Sequence, residues 1–142
     1  MANDDSLEIL ELEIAMMVRA LRYRHSHQDK NQEMKRAGYL ILLVLSKKGP
    51  MSVKNIAEKL HLDISTVSRQ AAVLLNDGLL DKNPSETDRR SYLYAVNSRG
   101  WDVISHARHS RQHRFSKMID EWNDSEIDEF ARLLNKFNRL ME

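Results

Sequence analysis

The 142-residue sequence contains no cysteine, which excludes disulfides, thiolate metal sites and thiol redox chemistry. Proline and glycine are scarce, at 2 and 4 residues, so long loops and low-complexity linkers are not expected. The longest apolar run, residues 39–45, is far shorter than the roughly 20 residues that a membrane-spanning helix needs. With 42% hydrophobic residues, the chain can bury one substantial core. We therefore predict a single domain over residues 1–142 and expect a soluble, cytoplasmic protein.

Charge is unevenly distributed along the chain, although the formal net charge is only +1. Residues 1–18 carry five acidic and no Lys or Arg side chains, and residues 119–142 carry seven acidic and three basic ones. The middle segment, 19–118, holds 19 Lys and Arg against 9 Asp and Glu. An excess of positive charge in this middle segment favours a polyanionic partner. The alternative is that these charges only solvate the exposed faces of helices.

The spacing of apolar residues predicts a mainly α fold with one small β-hairpin. Two short helices separated by a three-residue turn at residues 61–63 indicate a helix-turn-helix, and a hairpin directly after them indicates a winged helix. This predicts a winged helix-turn-helix lobe at 34–97, flanked by helices within 1–33 and 98–142. The predicted helices lie near 6–27 and 34–48, after Ser52, over 64–77, from 98 to about 122 and after 125, with strands at 79–80 and 92–96.

The second helix of the predicted helix-turn-helix has the features of a DNA recognition helix. Its apolar face, formed by Ile64, Val67, Ala71, Leu74 and Leu75, should turn inward and leave Arg69 pointing outward. Small hydroxyl residues near its start would allow close approach to phosphates, and Arg69 and Gln70 could pair with guanine and adenine. The alternative is an amphipathic helix with a solvated polar face. The candidate DNA contacts in this region are Lys54, which would bind a phosphate, and Ser65, Thr66, Ser68, Arg69 and Gln70.

The segment PSETDRRSYLY, residues 84–94, would place two arginines at the tip of the predicted hairpin. Arg89 and Arg90 could enter a minor groove, where the negative potential attracts guanidinium groups. Asp88 is an unexpected neighbour for phosphate unless it orients an arginine through a bidentate bond. We interpret Asp88 as a residue that shapes the hairpin tip rather than as a DNA contact.

Five short segments of the chain carry a shared pattern: 56–60 (IAEKL), 65–69 (STVSR), 74–80 (LLNDGLL), Asp88-Arg89-Arg90 and 96–100 (VNSRG). Together they resemble the MarR (multiple-antibiotic-resistance-type) family of winged-helix regulators, and the flanking helices match the layout of that family too. Where the family usually has Leu-Thr before the fifth helix, this chain has Val96-Asn97, and Asn can cap a helix as Thr does.

The resemblance implies roles for the arginines at the hairpin tip. The family pattern Asp-x-Arg makes Arg90 the minor-groove arginine and Asp88 its partner, which leaves Arg89 as an auxiliary phosphate contact. The resemblance also implies that a small-molecule effector binds in a cleft between the terminal helices and the DNA-binding lobe. Tyr23, Tyr39 and Trp101 could line such a cleft, or could be ordinary core aromatics.

The resemblance further implies a homodimer, which apolar seams on the terminal helices support independently. The alternative is that both terminal helices pack back on their own core. The predicted dimerisation residues are Leu7, Leu10, Ile14 and Met17 in the first helix and Ile127, Phe130, Leu134 and Phe137 in the last.

Histidines raise the alternative of a zinc-responsive regulator. His109 and His113 lie four residues apart and could chelate Zn²⁺, with His106 on the same face and His25 and His27 as further candidates. The resemblance implies that a zinc sensor of this family would complete the site with carboxylate or thiol ligands from the first and second helices. The apolar second helix offers no matching ligand and thiols are absent, so we expect surface or dimer-seam histidines, and no metal or cofactor.

No sequence feature indicates an enzyme, because nucleophile–base pairs, glycine-rich phosphate loops and paired carboxylates are all missing. The sequence therefore predicts a dimeric, sequence-specific regulator that binds double-stranded DNA, most simply a ligand-responsive repressor of a pseudo-palindromic operator. A winged-helix protein-interaction module that does not bind DNA is the remaining alternative.

Overall fold

The structure is a computed structural model that describes residues 3–26 and 30–141, with side chains described over 3–24 and 35–141. Across these ranges, six helices and one β-hairpin follow the predicted order and confirm the winged helix-turn-helix with flanking helices. The chain divides into two compact units, residues 1–37 and 38–142. The elements are α1 (Asp4–Ser26), α2 (Lys30–Lys48), α3 (Val53–Leu60), α4 (Ile64–Asn76), β1 (Leu80–Pro84), β2 (Tyr92–Val96), α5 (Ser98–Met118) and α6 (Asp124–Arg139).

Several helix ends differ from the prediction. Helix α1 begins two residues early, at Asp4, because Asp4 and Asp5 place negative charge at the positive end of the helix dipole. Its predicted end at residue 27 lies outside the described residues. Helix α5 ends at Met118 rather than near 122, since Ile119 leaves the helical region and Asn123 is extended to cap α6. The Asn123 Oδ1 accepts from the Glu126 N–H at 2.8 Å, and the Glu126 Oε1 accepts from the Asn123 N–H at 3.1 Å.

The core lies in the second unit, between α2, α3, α4, the hairpin and the start of α5. The apolar segment of α2 is buried at Ile41, Leu42 and Leu45, whereas Leu40 remains 37% exposed. A helix of this kind therefore buries one wide face rather than its whole circumference. The other buried apolar residues are Ile56, Ala57, Val67, Ala71, Leu74, Leu80, Tyr94 and Ile104. Among the helices of the described ranges, none is long and apolar enough to cross a membrane.

The turn between α3 and α4 depends on a left-handed residue. His61 has φ 53° and ψ 44°, and both its N–H and that of Leu62 donate to the Ala57 carbonyl. These bonds end α3 and redirect the chain into α4 after three residues, as predicted. The prediction for Ile64 was wrong, because this side chain is 57% exposed. It lies at the first position of α4, at the margin of the stripe that faces the core.

The hairpin is longer than predicted and is joined by an isolated bridge from Met51. Strand β1 pairs antiparallel with β2 from Leu80 opposite Val96 to Pro84 opposite Tyr92. Met51 then pairs with Tyr94 through two backbone bonds of 3.1 and 2.8 Å. Met51, which precedes the N-cap of α3, is therefore joined to the hairpin, and this bridge fixes the hairpin beside the helix-turn-helix.

Asn97 joins α5 to the corner between α4 and β1. Its Oδ1 accepts from the Gly100 N–H at 3.0 Å, which confirms the predicted cap, and its Nδ2 donates to the Gly78 carbonyl at 2.9 Å. Close approach requires glycine at position 100, where a Cβ would lie 2.3 Å from the Leu79 carbonyl oxygen. These contacts set where α5 leaves the winged-helix lobe.

Candidate nucleic-acid interface

The outward face of α4 is small, polar and positively charged. Ser65, Ser68 and Arg69 are exposed along it, whereas Thr66 is half-buried at its edge. Asp63 occupies the N-cap position in extended conformation but makes no side-chain cap bond, so backbone N–H groups at the start of α4 lack that partner. The first turn of α4 therefore combines backbone donors with hydroxyl groups, a combination that suits an approaching phosphate.

Gln70 requires a correction, because it does not lie on this outward face. Its side chain is only 6% exposed, which leaves it unable to make the predicted adenine contact in this structure. The residues of α4 that face the core recur at three- and four-residue steps, and position 70 falls inside this stripe. Its side chain packs beside Gly38 of α2, where an added Cβ would lie 3.4 Å from the Gln70 Oε1, an ordinary van der Waals distance.

Lys54 is exposed in the first turn of α3, near the start of the helix-turn-helix. Ser52 caps this helix as predicted, accepting from the Asn55 N–H at 3.2 Å. Backbone pairing of Met51 holds the preceding residue against the hairpin. Lys54 is thus carried by a helix whose start is fixed on both sides.

Residues 85–91, called the wing tip below, form an ordered turn. The Ser85 N–H donates to the Ser91 carbonyl at 2.9 Å, and the Ser91 N–H donates to the Asp88 carbonyl at 3.0 Å. The Ser85 hydroxyl also accepts from the N–H groups of Thr87 and Asp88 at 3.3 and 3.4 Å. Hydrogen bonds within the tip therefore provide acceptors for four of its backbone N–H groups.

Asp88 shapes the wing tip, in agreement with our interpretation of the sequence. Its Oδ1 accepts from the Arg90 N–H at 3.0 Å, and its Oδ2 accepts from the Ser91 hydroxyl at 3.2 Å. An aspartate side chain reaches the backbone two residues ahead more readily than a distant guanidinium, so the observed contact is with the Arg90 backbone rather than a bidentate pair. The side chains of Arg89 and Arg90 are both exposed.

Lys82 is a cation of the hairpin that the sequence analysis missed. Its Nζ lies 4.3 Å from the ring centroid of Tyr92 and 5.9 Å from that of Tyr94, its cross-strand neighbour. The aromatic rings hold the ammonium group in place by cation–π attraction. Side chains alternate between the two faces of a hairpin, so pairing β1 with β2 in the sequence would have placed Lys82 beside these two tyrosines.

The terminal helices expose large apolar side chains. In α1, Leu7, Leu10 and Met17 are 51%, 51% and 45% exposed, and Ile14 is half-buried. Helix α6 buries none of its residues, and Phe130, Leu134 and Phe137 are 50%, 38% and 38% exposed, with Ile127 half-buried. Both helices therefore present large apolar side chains to solvent.

The structure gives the positions of the α5 histidines considered as zinc ligands and of Tyr39, one of the candidate cleft aromatics. His106, His109 and His113 are exposed on α5, and no group of three His, Cys, Asp or Glu that could hold a metal occurs in the described part of the chain. The side chains of His25 and His27 lie outside the described residues. Tyr39 contacts α5, where the Arg111 guanidinium carbon lies 4.0 Å from the centroid of the Tyr39 ring.

Comparison with known proteins identifies relatives of this fold. The family model described as MarR family matches residues 35–92. The HTH-type transcriptional regulator YxaD of Bacillus subtilis (strain 168) is 32% identical over 139 residues, covering 98% of this chain and 97% of that protein. A MarR family protein from Bacillus stearothermophilus superposes with a TM-score of 0.70 at 20% identity, covering 99% of both chains. A mutant MarR from E. coli, solved in complex with operator DNA, superposes with a TM-score of 0.64 at 16% identity, covering 88% of this chain and 95% of that one.

Proposed function

Because this chain belongs to the MarR family of winged-helix transcriptional regulators, we propose that it binds a pseudo-palindromic operator as a homodimer and represses transcription until a small molecule releases it. The observation that carries the proposal is the combination of two exposed cationic features in one compact unit. These are Arg69 on the outward face of α4 and the arginines of the wing tip, Arg89 and Arg90.

Helix α4 is the element proposed to enter the major groove. Arg69 would pair with guanine through its two terminal nitrogens, while the Ser65 and Thr66 hydroxyls and the first N–H groups of the helix would bind phosphates. Ser68, exposed on the same helix, would position the backbone of the duplex. A structural neighbour was solved with operator DNA, which supports this use of the fold.

The wing is proposed to contact an adjacent minor groove. Asp88 holds the backbone of Arg90 at the tip, so the Arg90 guanidinium would start from a restricted position when it enters the groove. Arg89 would bind a neighbouring phosphate, and Lys54 would bind another at the start of α3. Such contacts to the backbone contribute affinity on every sequence, whereas Arg69 contributes discrimination.

Dimerisation is proposed to use the exposed apolar surfaces of α1 and α6. Pairing two copies through Leu7, Leu10, Ile14 and Met17 and through Ile127, Phe130, Leu134 and Phe137 would remove these surfaces from water. Two-fold symmetry would then place two α4 helices about 34 Å apart, one turn of DNA. An effector would act by binding better to a dimer with the wrong spacing.

Selection of bound duplexes from a random pool tests this function. We expect enrichment of a near-palindromic sequence whose half-site centres lie about 10 base pairs apart, as the proposed dimer requires. Enrichment of an asymmetric single site would argue against the dimeric operator. A pool that shows no enrichment over the starting duplexes would contradict sequence-specific binding.

A further inference from the structure

Val73 interrupts the small and polar outward face of α4. Its side chain is 48% exposed and lies four residues beyond Arg69, so the two side chains project to nearly the same side of the helix. The other exposed residues of this face are Ser65, Ser68, Ala72 and Asn76.

Folding does not account for valine at this position. The residues of α4 that face the core are Val67, Gln70, Ala71 and Leu74, and Val73 is outside this set. Valine also forms helices less readily than alanine, because its branched side chain loses rotamer freedom against the preceding turn. Neither helix formation nor core packing therefore favours Val73.

The major groove offers an apolar partner to a side chain in this place. The apolar group that base edges present there is the C5-methyl of thymine, and the other edge groups are hydrogen-bond donors and acceptors. We propose that Val73 contacts the methyl group of one thymine in each half-site, an inference that rests on the operator-binding function proposed above. Val73 is thus a specificity-determining residue beside Arg69.

The contact makes a chemical distinction that Arg69 cannot make. Deoxyuridine presents the same hydrogen-bonding edge as thymine and lacks only the methyl group. Burial of one methyl against Val73 corresponds to about a fourfold change in affinity per half-site. Thymine should therefore be preferred, by about fourfold over deoxyuridine, at one position within reach of the base that Arg69 contacts.

The test uses the full-length protein and an operator obtained by selection, with each thymine replaced in turn by deoxyuridine in both half-sites. Fluorescence anisotropy measures the Kd of the wild type, of Val73→Ala and of the control Ile64→Ala, whose altered side chain is also exposed on α4. We expect one symmetric pair of replacements to weaken the wild type and Ile64→Ala by about fourfold per half-site, and to leave Val73→Ala unchanged.

The inference is overturned if no replacement weakens the wild type, or if the same replacement weakens Val73→Ala equally. In both cases the protein still binds its operator, and the proposed function stands. If the wild type binds no duplex even at low salt, the proposed function fails, and the inference fails with it. Thermal unfolding of Val73→Ala, expected to match the wild type closely, shows that the comparison concerns folded protein.

Discussion

At the residue scale, Asp88 shows how an acidic side chain can order a segment that we propose to bind DNA. Its two carboxylate oxygens are used by the Arg90 N–H and the Ser91 hydroxyl within the wing tip. These two hydrogen bonds therefore order the segment that carries Arg90. An ordered tip would lose less conformational freedom on binding DNA, which would offset the repulsion between the Asp88 carboxylate and the phosphates.

Replacing Asp88 by alanine should weaken operator binding, although it removes a negative charge from the interface. We expect a loss of about three- to tenfold, since the N–H of Arg90 loses its acceptor and the tip loosens. Glu86→Ala is the matched control, because it removes an exposed acid from the same tip. The operator Kd of both variants is measured at equal salt concentration. If Asp88→Ala binds as tightly as Glu86→Ala, the role proposed for Asp88 is refuted.

Gly100 is a second residue with a specific steric role. A Cβ at this position would lie 2.3 Å from the Leu79 carbonyl oxygen and 2.7 Å from the Val96 Cγ1. We expect Gly100→Ala to lower the free energy of unfolding by about 1–3 kcal/mol, measured by urea denaturation. Gly38→Ala, where the nearest atom is the Gln70 Oε1 at 3.4 Å, should be tolerated much better. Similar stability of the two variants would contradict the close approach at Gly100.

At the element scale, the sequence predicts the order and approximate length of the helices because periodicity and capping residues agree. Ser52, Asn97 and Asn123 each accept a backbone N–H at a helix start. The pairing of Met51 with Tyr94 could not be predicted, since a single residue carries no strand pattern. The burial of Gln70 was missed because a polar side chain is buried here by packing against another helix, beside Gly38 of α2, which the sequence of α4 alone does not indicate.

The junction between the wing and α5 allows a graded test of Asn97. Alanine removes both its cap to Gly100 and its bond to the Gly78 carbonyl, whereas threonine retains the cap alone. We expect the free energy of unfolding to fall by about 1 kcal/mol for Asn97→Thr and about 2 kcal/mol for Asn97→Ala. Urea denaturation measures both values. A threonine variant as stable as the wild type would show that the Gly78 bond contributes nothing.

At the scale of the whole molecule, many of the large apolar side chains exposed in the described part of the chain lie in the terminal helices. The sequence predicted the seams of α1 and α6 from their spacing but underestimated their extent. Ile9, Leu12 and Met16 of α1 are also about 60% exposed. A single chain gives no information about which parts of this surface a partner would cover, because that depends on the geometry of the assembly.

Phe137→Glu should dissociate the proposed dimer. The substitution places a charge in an apolar surface that association would bury, and we expect dimer affinity to fall by at least 100-fold, or about 3 kcal/mol. Sedimentation equilibrium should change from twice the 16.6 kDa chain mass towards the monomer. Asn135→Glu, an exposed polar position on the same helix, should remain dimeric. A dimeric Phe137→Glu protein or a monomeric wild type would contradict the proposed interface.

The most direct test of DNA binding by this molecule is a salt series that compares a selected operator with random duplex. We predict a negative slope of log affinity against log salt on both duplexes, with tighter binding to the operator. Arg69→Ala should remove most of the preference for the operator and leave random-duplex binding nearly unchanged, whereas Arg90→Ala should weaken both. Absence of random-duplex binding at low salt, or an equal loss on both duplexes from Arg69→Ala, would contradict the account.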